Sequence, residues 1–101
     1  MTSAIRVKVR LWCVPGQSRA FRQFEDSAMR LMKRYGLKVL SISHGSHPDE
    51  PDEVHEIWAP TAQAFEAYLA DGDLAAMSAL RQQSIARTEV IVTPLKDQPL
   101  A

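Results

Sequence analysis

Between Ala4 and Val14 the apolar residues Ile5, Val7, Val9, Leu11 and Cys13 alternate with Arg6, Lys8, Arg10 and Trp12, the period of a strand with one buried face. Pro15 and Gly16 end it. Phe21, Phe24, Ala28, Leu31 and Tyr35 then recur at spacings of three and four, which predicts a helix capped by Ser18 and closed by a left-handed Gly36. A second strand is expected over Lys38 to Ser43. The run HGSHPDEPDE from His44 to Glu53 holds two prolines and reads as a connection. Val54 to Ala59 is the third expected strand, ended by Pro60, and Thr61 is placed to cap a helix carrying Phe65, Tyr68 and Leu69. Gly72 is expected to break that helix, and Asp73 to cap a continuation through Leu74, Met77 and Leu80. The last strand is expected from Ile85 to Leu95, around Val90, Ile91 and Val92.

The order is therefore βαββαβ. Two helices between strands bury their stripes in one core only if both cover the same sheet face. The expected class is α+β, a ferredoxin-like four-stranded antiparallel sheet with strand 1 between strands 3 and 4. One domain over residues 1–101 accommodates it, with a short tail after Pro94 that could cross to a neighbouring subunit. With Ile5, Val7, Val9 and Leu11 facing the helices, their expected partners are Leu40 and Ile42, Ile57, and Val90 and Val92. The opposite face then carries Arg6, Lys8, Arg10 and Trp12, Ser41 and Ser43, Glu56 and Trp58, and Arg87, Glu89 and Ile91. Two tryptophans on an uncovered sheet face point to burial against a second copy of the chain, a twofold homodimer.

Charge refines this picture. Twelve Lys plus Arg balance twelve Asp plus Glu, yet residues 1–40 carry nine basic and two acidic side chains and residues 41–101 three basic and ten acidic ones. Opposed halves suit pairing within or between chains, whereas nucleic acid would demand a basic surplus. No run of 18 apolar residues exists, so no membrane span is expected, and the single cysteine and charged N-terminal stretch suggest a cytoplasmic protein.

PDEVHEIW at 51–58, FEAYLAD at 65–71, LR at 80–81, RTEVIV at 87–92 and FED at 24–26 together resemble small bacterial proteins of the dimeric α/β-barrel superfamily. The nearest type is the domain of unknown function 1330. The resemblance covers most of the chain and implies two ferredoxin-like chains packing their sheets into a shared barrel. Many relatives have a glycine pair after strand 2 where this chain has SISHG at 41–45. The superfamily's haem-degrading branch places a histidine on the second helix, and residues 62–83 hold none, so no haem is expected; with no Gly-rich phosphate loop or dinucleotide fingerprint in the sequence, no other cofactor is expected either.

Candidate chemistry concentrates on the outer sheet face. Glu56, Arg10 and Arg87 are the candidate catalytic residues, with Trp58, Trp12, Arg81 and Ser41 as ligand-binding ones. Arginines can hold a carboxylate bidentately, a desolvated Glu can act as a general base, and a Trp can wall an aromatic ligand. The competing reading is a charge lattice tying two sheets together. His44, His47 and His55, with Asp49, Glu50 and Asp52, match no metal-binding spacing and read as an acidic hairpin, so no metal is expected. Cys13, Tyr35, Tyr68 and Met77 fall on apolar stripes and read as packing. The preferred expectation is a small-molecule-binding dimeric barrel that could act as a cofactor-independent enzyme on an aromatic or carbonyl metabolite. The alternatives are a non-catalytic dimerisation module and, less favoured, a single-stranded RNA binder.

Overall fold

The alternation at the start of the chain becomes β1 (Ile5–Cys13), whose even and odd positions separate the molecule into two sides. In the computed structural model, which describes residues 3–95, the elements that follow are α1 (Ser18–Met32), a 3-10 turn (Lys33–Tyr35), β2 (Lys38–His44), β3 (Glu53–Ala59), α2 (Ala62–Leu69), α3 (Gly72–Ala76), α4 (Ser78–Ser84) and β4 (Ile85–Pro94). The sheet order is β2-β3-β1-β4, with every neighbouring pair antiparallel. That is the ferredoxin-like fold expected from the element order. The tail beyond Leu95, suggested above to reach a neighbour, lies outside the described residues. Among those described, no helix is long and apolar enough to cross a membrane.

Local chemistry accounts for most element ends. Gly36 adopts φ 73°, its N–H donating to the Lys33 carbonyl while the Leu37 N–H reaches the Met32 carbonyl, and only a residue without Cβ takes that conformation freely. Thr61 accepts a hydrogen bond from the Ala64 N–H at 3.0 Å and caps α2 as expected. Two expected caps are corrected. Ser18 is already helical, and Gln17 occupies the cap position with its side chain turned to Gln83. Asp71, not Asp73, caps α3, accepting from the Asp73 and Leu74 N–H groups, so Gly72 opens that helix.

The strand register confirms the two faces apart from two shifts, one in the β1–β4 pairing, where Trp12 pairs with Arg87 and Cys13 with the buried Ile85, and one on β2. Val7 lies between Ile57 and Val92, and Val9 between His55 and Val90. On β2 the register shifts between Val39 and Ser41, so Val39 and Ile42 line up with Ile57 and His55 while Leu40 becomes the extra residue, 51% exposed. The expected inward role of Leu40 therefore passes to Val39. A bulge of this kind cannot be read from alternation, because it inserts one residue without disturbing the pattern on either side.

The core divides into two clusters. One gathers Ile5, Val7, Leu31, Met32, Leu37, Ile57, Ala59, Phe65 and Tyr68; the other holds Leu11, Phe21, Phe24, Ala28 and Ile85. Val7 and Ile57 are fully buried, and burial of such a side chain contributes roughly 1.5–3 kcal/mol. Val9, Leu74 and Met77 touch both clusters. At that seam the packing is incomplete.

Candidate functional site

The seam is a cavity of about 360 Å³ between the helix layer and the sheet. It exists because the helices present small side chains there: Ala28 of α1, Ala75 of α3 and Ser78 of α4 all line it, and none reaches far enough to fill the space above β1 and β4. Its mouth is rimmed by the exposed Leu69, Ala75, Ser78, Arg81 and Val90. Deeper in, Leu11, Phe24, Met32, Ile57 and Phe65 make the wall apolar.

Glu25, His55 and Tyr68 interrupt that wall. Inward parity on β3 carries Glu53, His55, Ile57 and Ala59 to the helix side, opposite Leu11, Val9, Val7 and Ile5. His55 is 1% exposed and its Nε2 lies 2.8 Å from Glu53 Oε1. Because an ionised carboxylate only accepts, this nitrogen carries a proton and donates. Nδ1 faces Glu25 of α1 at 3.7 Å. Glu25 follows Phe24 on the buried helix stripe, one turn from Phe21 and Ala28, and is itself buried. Arg22, one turn earlier, closes the far end of the array through Glu53, with Nη1 to Oε2 at 2.5 Å and Nη2 to Oε1 at 3.4 Å. Arg22, Glu53, His55 and Glu25 thus run from the surface to the cavity.

The two carboxyls are tuned in opposite directions. Burial raises the Glu25 pKa from 4.5 to about 7, reinforced by the Glu53 charge and only partly offset by Arg22 and Arg81. For Glu53, burial would also raise it, but the His55 hydrogen bond and the Arg22 guanidinium hold it below the usual carboxylate value. Two carboxyls pushed apart in one site are a pattern of acid–base chemistry. Tyr68 of α2 also lines the cavity, its phenol held above the ordinary value by burial and by the nearby Glu25 charge. Arg81 of α4 donates to Thr88 Oγ1 at 3.1 Å and lies at the rim.

The residues singled out from the sequence fall in two places. Arg81 reaches the cavity, whereas Arg10, Trp12, Ser41, Glu56, Trp58 and Arg87 have the register of the outer sheet face. There Glu56 is shared by Arg6 and Lys8 at 3.4 and 3.5 Å, and Glu89 by Arg10 at 3.6 Å and by Arg87. The Arg87 guanidinium lies 4.5 Å from the Trp12 ring centroid, and the Lys38 ammonium 5.3 Å from that of Trp58. His44 and His47 are exposed on the hairpin side of the molecule, and among the described residues no three His, Cys, Asp or Glu side chains are grouped to hold a metal ion. The Cys13 thiol is pushed up by burial and by Asp52 and Glu53, opposite to what a nucleophile needs. Sequence reasoning passed over Glu25, His55 and Tyr68 as site residues. The available signal was polar parity: Glu25 on an apolar helix stripe, and His55 in phase with Ile57.

The chain matches no family model and no curated protein sequence. Among solved structures it is similar to a protein of unknown function from Rhodopseudomonas palustris, with TM-score 0.78 and 18% identity over 95% of this chain and 85% of that one. A candidate antibiotic biosynthesis monooxygenase from Caulobacter crescentus gives TM-score 0.77 and 14% identity over 95% and 92% of the two chains. A protein from Bacteroides fragilis, described as dimeric, of unknown function and of ferredoxin-like fold, gives 0.70 and 7% over 91% and 96%. At these identities the likeness establishes the ferredoxin-like fold over nearly the whole chain.

Proposed function

We propose that this chain binds a small aromatic or carbonyl compound in the cavity between sheet and helices, and acts on it by acid–base chemistry without a cofactor. The observation that carries the reading is an apolar cavity of about 360 Å³ into whose wall a buried carboxyl, Glu25, is built beside an imidazole. Ligand sites are typically concave, mostly apolar and supplied with a few convergent polar groups, and this volume is at the small end of the usual range. One or two rings would fill it. Arg81 belongs to this site, at its mouth.

The outer face is proposed as a twofold interface, in keeping with the dimeric α/β-barrel resemblance and its 1330-type branch. Arg10, Glu56 and Arg87 then act as a charge lattice and Trp12, Trp58 and Ser41 as contact surface. Exposed Leu40 and Ile91 on the two edge strands supply apolar area for such a contact, and the Bacteroides fragilis neighbour is described as dimeric. A cytoplasmic homodimer without nucleic-acid or membrane partners is the assembly proposed.

Calorimetric titration with 2-naphthol tests the site. Wild-type protein is expected to bind it, Ala28→Phe to abolish binding by filling the cavity, and Glu56→Gln to bind as wild type does. Loss of binding in Glu56→Gln with retention in Ala28→Phe would move the site to the outer face.

A further inference from the structure

The cavity brings a carboxyl and a phenol to one apolar space, and both are free to meet a ligand. Among the described residues no buried side-chain nitrogen or oxygen is fully sequestered without a partner. Glu25 and Tyr68 make no hydrogen bond to another described residue, so their polar atoms keep access to the cavity they line. They sit on different helices, α1 and α2, yet close enough for the Glu25 charge to bear on the phenol. Arg81 acts on both from α4. An anionic ligand would meet Glu25 with Glu53 behind it, whereas a neutral carbonyl compound meets a base and a donor in one cavity.

Building on the proposed ligand site, we infer that the cavity catalyses proton transfer at a carbon adjacent to the carbonyl of a neutral, enolisable ligand. Glu25 is the base, and the Tyr68 hydroxyl is the donor to the carbonyl oxygen. The C–H bond breaks and its proton forms an O–H bond on the Glu25 carboxylate. The electron pair left behind becomes the new C=C bond, as the carbonyl π pair moves onto oxygen. The resulting enolate oxygen accepts the Tyr68 hydrogen bond, with the Arg81 charge nearby. Return of the proton to the same carbon completes an exchange, and return to a conjugated carbon gives an isomer. Neither outcome consumes an oxidant or a reductant.

The surroundings suit these roles. A base working at neutral pH needs a pKa near that pH, and Glu25 stands at about 7. The groups that bear on it are His55 and Glu53 from β3, Arg81 from α4, Tyr68 from α2, and Arg22 and Asp26 from its own helix. β1 contributes only the apolar Val9 and Leu11 to the lining, and β4 only Ile85, Thr88 and Val90. Tyr68, held above its ordinary value, stays a neutral donor. Glu25 Oε2 lies 3.7 Å from Nδ1 of His55, whose other ring nitrogen is held by Glu53.

The test is deuterium uptake at the benzylic C1 methylene of 2-tetralone in D2O, followed by proton NMR, with urea unfolding as the folding control and 2-naphthol binding by the wild-type protein as the check on the ligand site. Wild-type protein is expected to exchange these protons faster than buffer, with a rate that rises with pD about a midpoint near 7. Glu25→Gln is expected to lose about 100-fold or more of that rate and Tyr68→Phe about 100-fold, with each variant still unfolding in urea as one cooperative transition. If 2-tetralone binds but exchanges no faster than in buffer, or if Glu25→Gln exchanges as wild type does, the proton-transfer assignment is overturned and the ligand site stands. If neither probe binds, both fall together.

Discussion

Replacing Glu25 by Gln should make the protein more stable at alkaline pH and leave it unchanged in acid. A carboxyl whose pKa rises from 4.5 in the unfolded chain to about 7 in the folded one binds its proton more tightly when folded. Between those values the folded state holds a proton that the unfolded state has released, so stability falls as pH rises through that window. At ~1.4 kcal/mol per pH unit the full effect is about 3 kcal/mol, present above pH 7 and absent below 4.5. Gln has nearly the same shape and carries no charge, so Glu25→Gln removes this cost while keeping the packing against Phe24 and His55. With a urea dependence typical of a domain this size, the midpoint of the variant should lie on the order of 1–2 M above wild type at pH 8 and coincide with it at pH 4.5. Urea titrations followed by tryptophan fluorescence at half-unit pH intervals would trace the difference. Two curves running parallel from pH 4.5 to 8 would refute the premise that Glu25 is desolvated in the fold, and with it the reason for calling it a base.

Arg22→Gln should destabilise the protein at neutral pH, because it leaves the buried Glu53 with His55 as its main partner. A buried pair broken this way costs roughly 3–5 kcal/mol, but the Arg22 side chain is 41% exposed, so about 1–2 kcal/mol is expected. The deficit should shrink as pH falls below 4.5 and Glu53 protonates, since a carboxyl with a lowered folded pKa contributes stability only above that range. Chemical denaturation that showed an equal deficit at pH 3.5 and 7 would contradict this. Ile91→Asp places a charge at a half-exposed outer-face position opposite Lys8 and is expected to halve the particle mass measured by light scattering. A wild-type particle of one chain, or a variant of unchanged mass, would remove the proposed interface.

The outer-face lattice was legible residue by residue. Strict alternation from Arg6 to Trp12 and from Glu56 to Trp58 assigns each side chain to a face, and the register then sets Lys8 beside Glu56 and Arg10 beside Glu89. The inner site was half legible. The same parity that turns Glu56 outward turns Glu53 and His55 inward, and the stripe that buries Phe24 buries Glu25 as well. Taking His55 together with His44 and His47, because they are near in sequence, obscured this. Leu40 shows a different limit, since a bulge changes the phase of one strand through hydrogen bonding to its neighbour and leaves no trace in the local pattern.

Element order, strand phase and helix stripes follow from local periodicity, so the chain by itself determined a ferredoxin-like sheet and the sorting of nearly every side chain to one face or the other. Whether the space between the layers is filled is a different kind of question. It depends on how far Ala28, Ala75 and Ser78 stand from Val9 and Val90 once helices from distant segments settle over the sheet. Burial then changes the chemistry of what lines that space, for the same glutamate is an ordinary carboxylate in water and a proton carrier near pH 7 against an apolar wall. Only the tertiary structure sets that distance and that desolvation, because both are properties of the packed volume and not of any stretch of sequence.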